Sequence, residues 1–227
     1  MRQIPLPIGP APVRSFDTFL AGGNQAALEH LQALTPLSQP AYLWGPTGSG
    51  KTHLLSAVAA AWRALGARVG WFSPATSVPW SFEEGWTLIV LDDCDAFDAA
   101  QQQAAFALFV EAATAGVSIV SAGRVPPVDL PLRDDLRSRL GWGVVFALQP
   151  LAEEDARAVL RRAADERGIL LSDEVIDYLL TRFARDLASL MRLLDRLDEF
   201  ALSHKRAVTV PLLKQMLAQD ETGAGRR

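Results

Sequence analysis

Cysteine is nearly absent from this chain. Of its 227 residues only Cys94 carries a thiol, so no disulfide can tie two parts of it together. The three histidines, His30, His53 and His204, lie far apart and lack the spacing of a metal site. No serine sits in a G-x-S-x-G elbow. No apolar run approaches the ~20 residues that cross a bilayer. The N-terminus has an early arginine and then prolines where an export signal would place its apolar segment. A basic excess is missing as well: 22 Lys and Arg stand against 26 Asp and Glu, a net charge of −4, which argues against a whole-surface grip on nucleic acid. These absences leave a soluble cytoplasmic protein as the expectation. The composition, 49% hydrophobic and 21% charged, can bury the core of one large domain, or of a domain with a small added lobe.

Against that background one stretch stands out. Gly45-Pro46-Thr47-Gly48-Ser49-Gly50-Lys51-Thr52 reads G-x-x-x-x-G-K-T, the pattern of a phosphate-binding loop. By chance it should arise in roughly 1 in 100 chains of this length, so context has to decide. The context fits: apolar Ala41–Trp44 before it suits a buried strand, and the alanine-rich segment from His53 to Trp62 suits a helix. Glycines let the backbone turn its N–H groups toward phosphate oxygens, and the helix N-terminus adds partial positive charge. In this pattern Lys51 reaches the outer phosphates, the Thr52 hydroxyl ligates Mg2+, and His53 lies in the helix's first turn.

The rest of the chain is organised around that unit. Met1 to Arg14 holds four prolines and reads as an extended tail. A helix is expected from Asn24 to about Leu34, ended by Pro36 and Pro40. Strands are expected over Arg68–Phe72, Thr87–Leu91, Val117–Val120 and Val144–Leu148, and a helix over Ala99–Ala115. Strands alternating with helices mean a parallel α/β sheet. After Pro150 the pattern turns all-helical: Glu153–Arg167, a helix opening at Ser172, Asp186–His204 with a leucine stripe, and Val210–Leu217. The expected division is therefore 1–14, 15–150, 151–220 and a frayed tail over 221–227.

The second phosphate-site signature is Leu88-Ile89-Val90-Leu91-Asp92-Asp93, an apolar strand ending in two acids. Ligands of open α/β sheets sit beyond the C-terminal strand ends. Asp92 is thus placed to hold Mg2+ and Asp93 to orient an attacking water. A phosphate-loop sheet followed by a helical bundle resembles the AAA+ ATPases. Three further segments are similar to the DnaA/Hda family among them: Ser15–Phe19 at the entry, Leu136–Gly143 (LRSRLGWG), and Ala184–Leu187 (ARDL). The resemblance covers about residues 13 to 218. It implies an AAA+ parallel sheet flanked by helices with a small all-helical lid, an arginine finger at Arg139, and a nucleotide-sensing Arg185 in the lid. It also implies ADP or ATP with Mg2+ as cofactors. One departure is plain: Gly123, in Ser121-Ala122-Gly123-Arg124, stands where the family carries an aspartate, and this puts hydrolysis at the chain's own site in question.

Gln3-Ile4-Pro5-Leu6-Pro7-Ile8 resembles the clamp-binding peptide of bacterial replication proteins. A proline-stiffened segment loses little entropy on docking. Gln3 would hydrogen-bond at a pocket mouth, with Ile4, Leu6, Pro7 and Ile8 offered to its apolar subsites. The chain ends at Arg227, just past the helical lobe, so no helix-turn-helix DNA-reading domain is expected. The resemblance then implies a negative regulator of replication initiation. Such a regulator binds the DNA-loaded sliding clamp (the polymerase III β subunit) and stimulates hydrolysis of ATP bound to the DnaA initiator. It makes no sequence-specific DNA or membrane contact and forms a homodimer or higher oligomer. A helicase loader of the DnaC type and a nucleotide-dependent adaptor without hydrolytic role remain open alternatives.

Overall fold

The computed structural model describes residues 14–182, 187–204 and 206–224. Described residues up to Pro150 form one compact unit, and those from Leu151 onward form a second.

The first unit is a five-stranded, all-parallel sheet. Its strands are β1 (Ala41–Trp44), β2 (Arg68–Phe72), β3 (Trp86–Leu91), β4 (Ser118–Gly123) and β5 (Val144–Ala147). They lie in the order β2-β3-β4-β1-β5. Helices α1 (Gln25–Gln32), α2 (Lys51–Ala64), α3 (Ala99–Ala115) and α4 (Asp134–Leu140) connect them. The inner strands are buried and largely apolar because both faces of the sheet are covered; Ser118 and Ser121 of β4 are the buried polar residues, donating to the carbonyls of Thr35 and Ala41, and the apolar side chains alternate between two cores. Ala41, Leu43, Leu88, Val90, Val120 and Ala122 pack with Leu28 and Leu31 of α1 and Leu54, Leu55 and Val58 of α2. Tyr42, Ile89, Leu91 and Ile119 pack with Leu108 and Phe109 of α3 and Leu136 and Leu140 of α4. Burying a side chain of this size contributes about 1.5–3 kcal/mol, so a one-residue slip of any inner strand would trade one core for the other.

The second unit is helical: α5 (Glu153–Glu166), α6 (Asp173–Arg182), α7 (Leu187–His204) and α8 (Val210–Ala224). Its core is Leu160, Val175, Ile176, Leu179, Leu190, Leu197 and Leu213. Arg167 just beyond α5 ties that helix to α7, donating to Asp195 at 2.7 Å and to the Ala163 carbonyl at 2.7 Å. The last helix continues to Ala224, beyond the Leu217 end expected from the leucine pattern; no proline follows Pro211 to stop it. Among the described residues no helix is long and apolar enough to cross a membrane.

The start of α3 holds the long β2–β3 connection in place. Asp98 accepts the Gln101 N–H at 2.8 Å while the Gln101 amide oxygen accepts the Asp98 N–H at 3.1 Å, a reciprocal cap. The Gln101 amide nitrogen then donates to the carbonyls of Pro74 (2.9 Å) and Thr76 (3.2 Å), and the residue is buried. Gln101→Ala loses half the cap and leaves two carbonyls without their donor. It is expected to destabilise by about 1–3 kcal/mol, more than Asp98→Ala at about 1 kcal/mol. Urea unfolding midpoints check this, and the reverse order would show that the connection does not depend on Gln101.

Candidate functional site at the C-terminal edge of the sheet

β1 runs straight into the glycine-rich loop, and α2 begins at Lys51. Two glycines admit no other residue there. A Cβ on Gly45 would lie 2.3 Å from the Leu148 carbonyl oxygen. Gly50 has a left-handed φ of +94°, and a Cβ on it would meet the Phe19 ring at 2.6 Å. The first turn of α2 closes with the Leu54 N–H on the Gly50 carbonyl at 3.0 Å. The N–H groups of Lys51, Thr52 and His53 therefore precede the helical ladder and stay available, as in any anion-binding helix start. Lys51 is 6% exposed; its ammonium donates to the carbonyls of Gly45 (2.8 Å) and Pro46 (2.9 Å). Burial pushes its pKa down, and the carboxylates of Asp93, Asp92 and Asp95 oppose that shift. The Ser49 hydroxyl is buried with no hydrogen-bond partner among the described residues. Pro46 and Thr47 are exposed at the tip, and Gly48 is half-buried.

β3 delivers the two acids to the same edge. The Asp92 N–H donates to the Phe72 carbonyl at 2.9 Å, extending the β2–β3 ladder by one residue. Its carboxyl is buried, and burial raises its pKa; a hydrogen bond with Thr52 partly offsets the rise. Thr52 and Asp92, placed together by sequence reasoning, thus meet in the structure. Asp93 adopts a left-handed φ of 51° and donates its N–H to the Asp92 carboxylate at 3.1 Å, which leaves its own half-buried carboxylate beside the pair. Among the described residues no three His, Cys, Asp or Glu side chains gather as an all-protein metal cage. One carboxylate and one hydroxyl suit Mg2+, which commonly completes its shell with phosphate and water.

Between the two lies the exit of β4, where the structure adds what sequence reasoning missed. β4 separates β3 from β1, and Gly123 is in register with Trp44, the residue before the loop. A Cβ on Gly123 would sit 2.1 Å from the Tyr42 hydroxyl and 3.2 Å from an Asp95 carboxylate oxygen. A carboxylate arriving from the turn after β3 thus lies beside position 123. Asp95 accepts the Arg124 N–H at 3.0 Å and pairs with its guanidinium at 3.4 Å. The Tyr42 hydroxyl donates to the Val125 carbonyl at 3.0 Å and anchors the strand exit. A tyrosine in a buried strand and an aspartate in a turn carry no local signal that they will converge there.

The other candidate residues fall elsewhere. The His53 ring binds the entry segment, with Nε2 at 2.9 Å from the Ser15 carbonyl and 3.3 Å from the Thr18 hydroxyl, and the Phe19 ring against it. Its side chain is thereby committed, and its backbone N–H is what it offers a phosphate. Arg139 lies on α4. Its guanidinium lies over the ring of Trp142, 5.2 Å from the centroid, and Trp142 is 68% exposed. Arg137 is instead paired with Asp134 at 2.7 Å. Arg185 and Gln3, Ile4, Leu6, Pro7 and Ile8 lie outside the described residues.

Comparison with known proteins agrees with this geometry. A family model described as "Hda, lid domain" matches residues 153–217. An uncharacterized protein of Haemophilus influenzae is 34% identical over 229 residues, spanning 95% of this chain and 98% of its own length. Domain III of the replication initiation protein DnaA from Thermotoga maritima superposes with a TM-score of 0.75 at 20% identity, covering 92% of this chain and 97% of that one. AMPPCP-bound DnaA from Aquifex aeolicus gives 0.65 at 25% identity, covering 82% and 66%. A relative aligned along almost the whole chain, a lid matched by its own family model, and an initiator-like sheet carrying a phosphate loop converge: the chain belongs to the DnaA/Hda family of AAA+ proteins.

Proposed function

We propose that this chain is a nucleotide-dependent, DnaA-directed regulator of replication initiation, acting in the cytoplasm. Its loop would bind ADP or ATP through the N–H groups of Gly45 and of Thr47–His53 and the Lys51 ammonium, with Pro46 shaping the loop and Arg185 contacting the phosphates from the lid. The Ser49 hydroxyl, buried without a partner among the described residues, is a polar group that a phosphate could satisfy. Thr52 and Asp92 are the residues that would hold Mg2+, which when bound neutralises phosphate charge; Asp93 would orient water. The DnaA structure with AMPPCP bound supports the nucleotide class.

The observation that carries the regulatory reading is the placement of the Arg139 guanidinium over the exposed ring of Trp142. Among the described residues the Arg139 guanidinium rests on an exposed tryptophan face and pairs with no carboxylate, which leaves its donors largely uncommitted. Arg139 would reach the nucleotide of a DnaA molecule, stabilise charge on the transferred phosphoryl group, and leave DnaA in its ADP form. Residues 3–8 would hold the chain on the DNA-loaded sliding clamp, and the AAA+ module would form a homodimer or higher oligomer.

Three outcomes are expected. Lys51→Ala weakens binding of fluorescent ADP or ATP at least about tenfold, because a charge-assisted contact of about 1.5–3 kcal/mol is lost; unchanged affinity would remove the phosphate-site assignment. Arg139→Ala keeps nucleotide and clamp binding but lowers acceleration of DnaA-bound ATP hydrolysis by about 10³-fold or more, Arg139→Lys restores little of it, and Arg137→Ala keeps most of it. Full activity of Arg139→Ala would leave a pure adaptor in its place. Removal of Met1 to Ile8, or Gln3→Ala with Leu6→Ala, abolishes co-elution with the sliding clamp while the thermal midpoint stays within a degree or two; retained co-elution would exclude the tail as the docking element.

A further inference from the structure

The side of the sheet farthest from β5 is open. β2 is hydrogen-bonded to β3 alone, so its other side faces no strand among the described residues. The Asp92 N–H on the Phe72 carbonyl at 2.9 Å fixes which backbone groups of β2 face β3. In a parallel ladder, alternate residues turn their N–H and C=O to opposite sides. Those of Gly70 and Phe72 serve the ladder, and those of Val69 and Trp71 point outward. Neither Val69 nor Trp71 has an outward backbone partner among the described residues. Such an edge is a template for another chain. It borders a groove of about 740 Å³, lined by all five residues of β2, by Thr76, Pro79 and Trp80 of the β2–β3 connection, and by Arg63 in the last turn of α2.

We propose that this groove takes an extended peptide of a partner protein, apolar with an acidic end, which joins the sheet as a further strand beside β2. Three features fit that occupant. First, Val69 and Trp71 together present two backbone donors and two acceptors along one line, the pattern that strand addition pairs. Second, the opposite wall is anchored away from the strand. The Gln101 amide of α3 holds the Pro74 and Thr76 carbonyls at 2.9 and 3.2 Å, and the Trp80 indole N–H donates to the Thr76 carbonyl at 3.2 Å. Trp71 and Trp86 are half-buried along the groove and offer ring surface to apolar side chains. Third, the charge is basic where the strand begins. Glu83, the acid that lines the groove, is already paired with Arg68 at 2.8 Å. Arg63 is exposed and has no ion-pair partner among the described residues, so the uncompensated charge is positive. A single-stranded nucleic acid would also meet the arginines and the rings. It carries no alternating donors and acceptors at strand spacing, and would leave the outward groups of Val69 and Trp71 unpaired.

The test titrates the intact chain into the fluorescein-labelled peptide Glu-Val-Thr-Val-Glu, whose two acids serve either strand direction, and reads polarisation. Saturable binding is expected. The same peptide N-methylated on its three central amides is expected to bind at least about tenfold more weakly, since its ladder donors are gone. Val69→Pro removes one outward N–H at an edge position that admits proline. It is expected to weaken the peptide about 3- to 10-fold, as for one lost hydrogen bond. Arg63→Glu is expected to weaken it about tenfold, and Lys in place of both peptide acids to do the same on the unaltered protein. Absence of saturable binding up to about 1 mM overturns the proposal, and so does equal binding of the N-methylated peptide. If labelled oligothymidylate binds where the peptide does not, and Arg63→Glu abolishes that binding, the groove serves nucleic acid and the peptide assignment falls. If the peptide fails to bind and Val69→Pro dissociates a self-associated protein on sedimentation, the edge serves a second copy and the assignment falls as well. Should Val69→Pro not fold, the surface substitution Arg63→Glu and the N-methylated peptide decide the matter.

Discussion

A buried ammonium needs negative partners, and the layout of the first unit follows from that need. Lys51 is 6% exposed at the head of α2. A charge in that position loses its hydration, and the loss must be offset by nearby dipoles and anions. The loop carbonyls of Gly45 and Pro46 supply the dipoles, and Asp92, Asp93 and Asp95 supply the field. This requires the ends of β1 and β3 to lie at the same edge, with only β4 between them, as a parallel sheet in this order provides. The same edge presents helix-start N–H groups that precede the helical ladder and a Ser49 hydroxyl with no partner among the described residues. A polyanion satisfies all of these groups at once.

The departure at Gly123 gains a physical explanation from packing. A phenol from the neighbouring strand fills the space a side chain there would take, and a carboxylate from the turn after β3 comes within 3.2 Å of the same point. Acidic charge at the β4 exit comes from Asp95, which is bound to the Arg124 backbone as well as to its side chain. The groups around the loop thus depend on one another: Tyr42 sets the strand exit, the exit sets Arg124, and Arg124 fixes one Asp95 oxygen.

Arg139 obeys a different logic. Its neighbour Arg137 is paired with Asp134, whereas Arg139 lies against the exposed face of Trp142. A guanidinium on an aromatic face is oriented without having its hydrogen-bond donors consumed. Such an arrangement suits a residue whose partner lies outside the chain.

How much was legible beforehand differs by the range of the interactions involved. Strand runs such as Leu88–Leu91, the G-x-x-x-x-G-K-T spacing, the Asp92–Asp93 pair and the α3 span are written in local sequence, because each depends on neighbours a few residues apart: hydrophobic period, turn chemistry, helix propensity. Thr52 and Asp92 could be matched in advance because two local patterns in one α/β unit end at the same sheet edge. Strand order, by contrast, and with it the position of β4 between acid and loop, depends on contacts between segments tens of residues apart. So do the Tyr42–Gly123 approach, the Asp95–Arg124 pair and the capture of Ser15 and Thr18 by His53. These contacts exist only once the two cores on either side of the sheet have closed, since packing of Leu54, Leu108 and their neighbours sets the distances at which the polar groups meet. The sequence alone therefore determined which residues could serve a phosphate, and the tertiary structure decided which of them stand together.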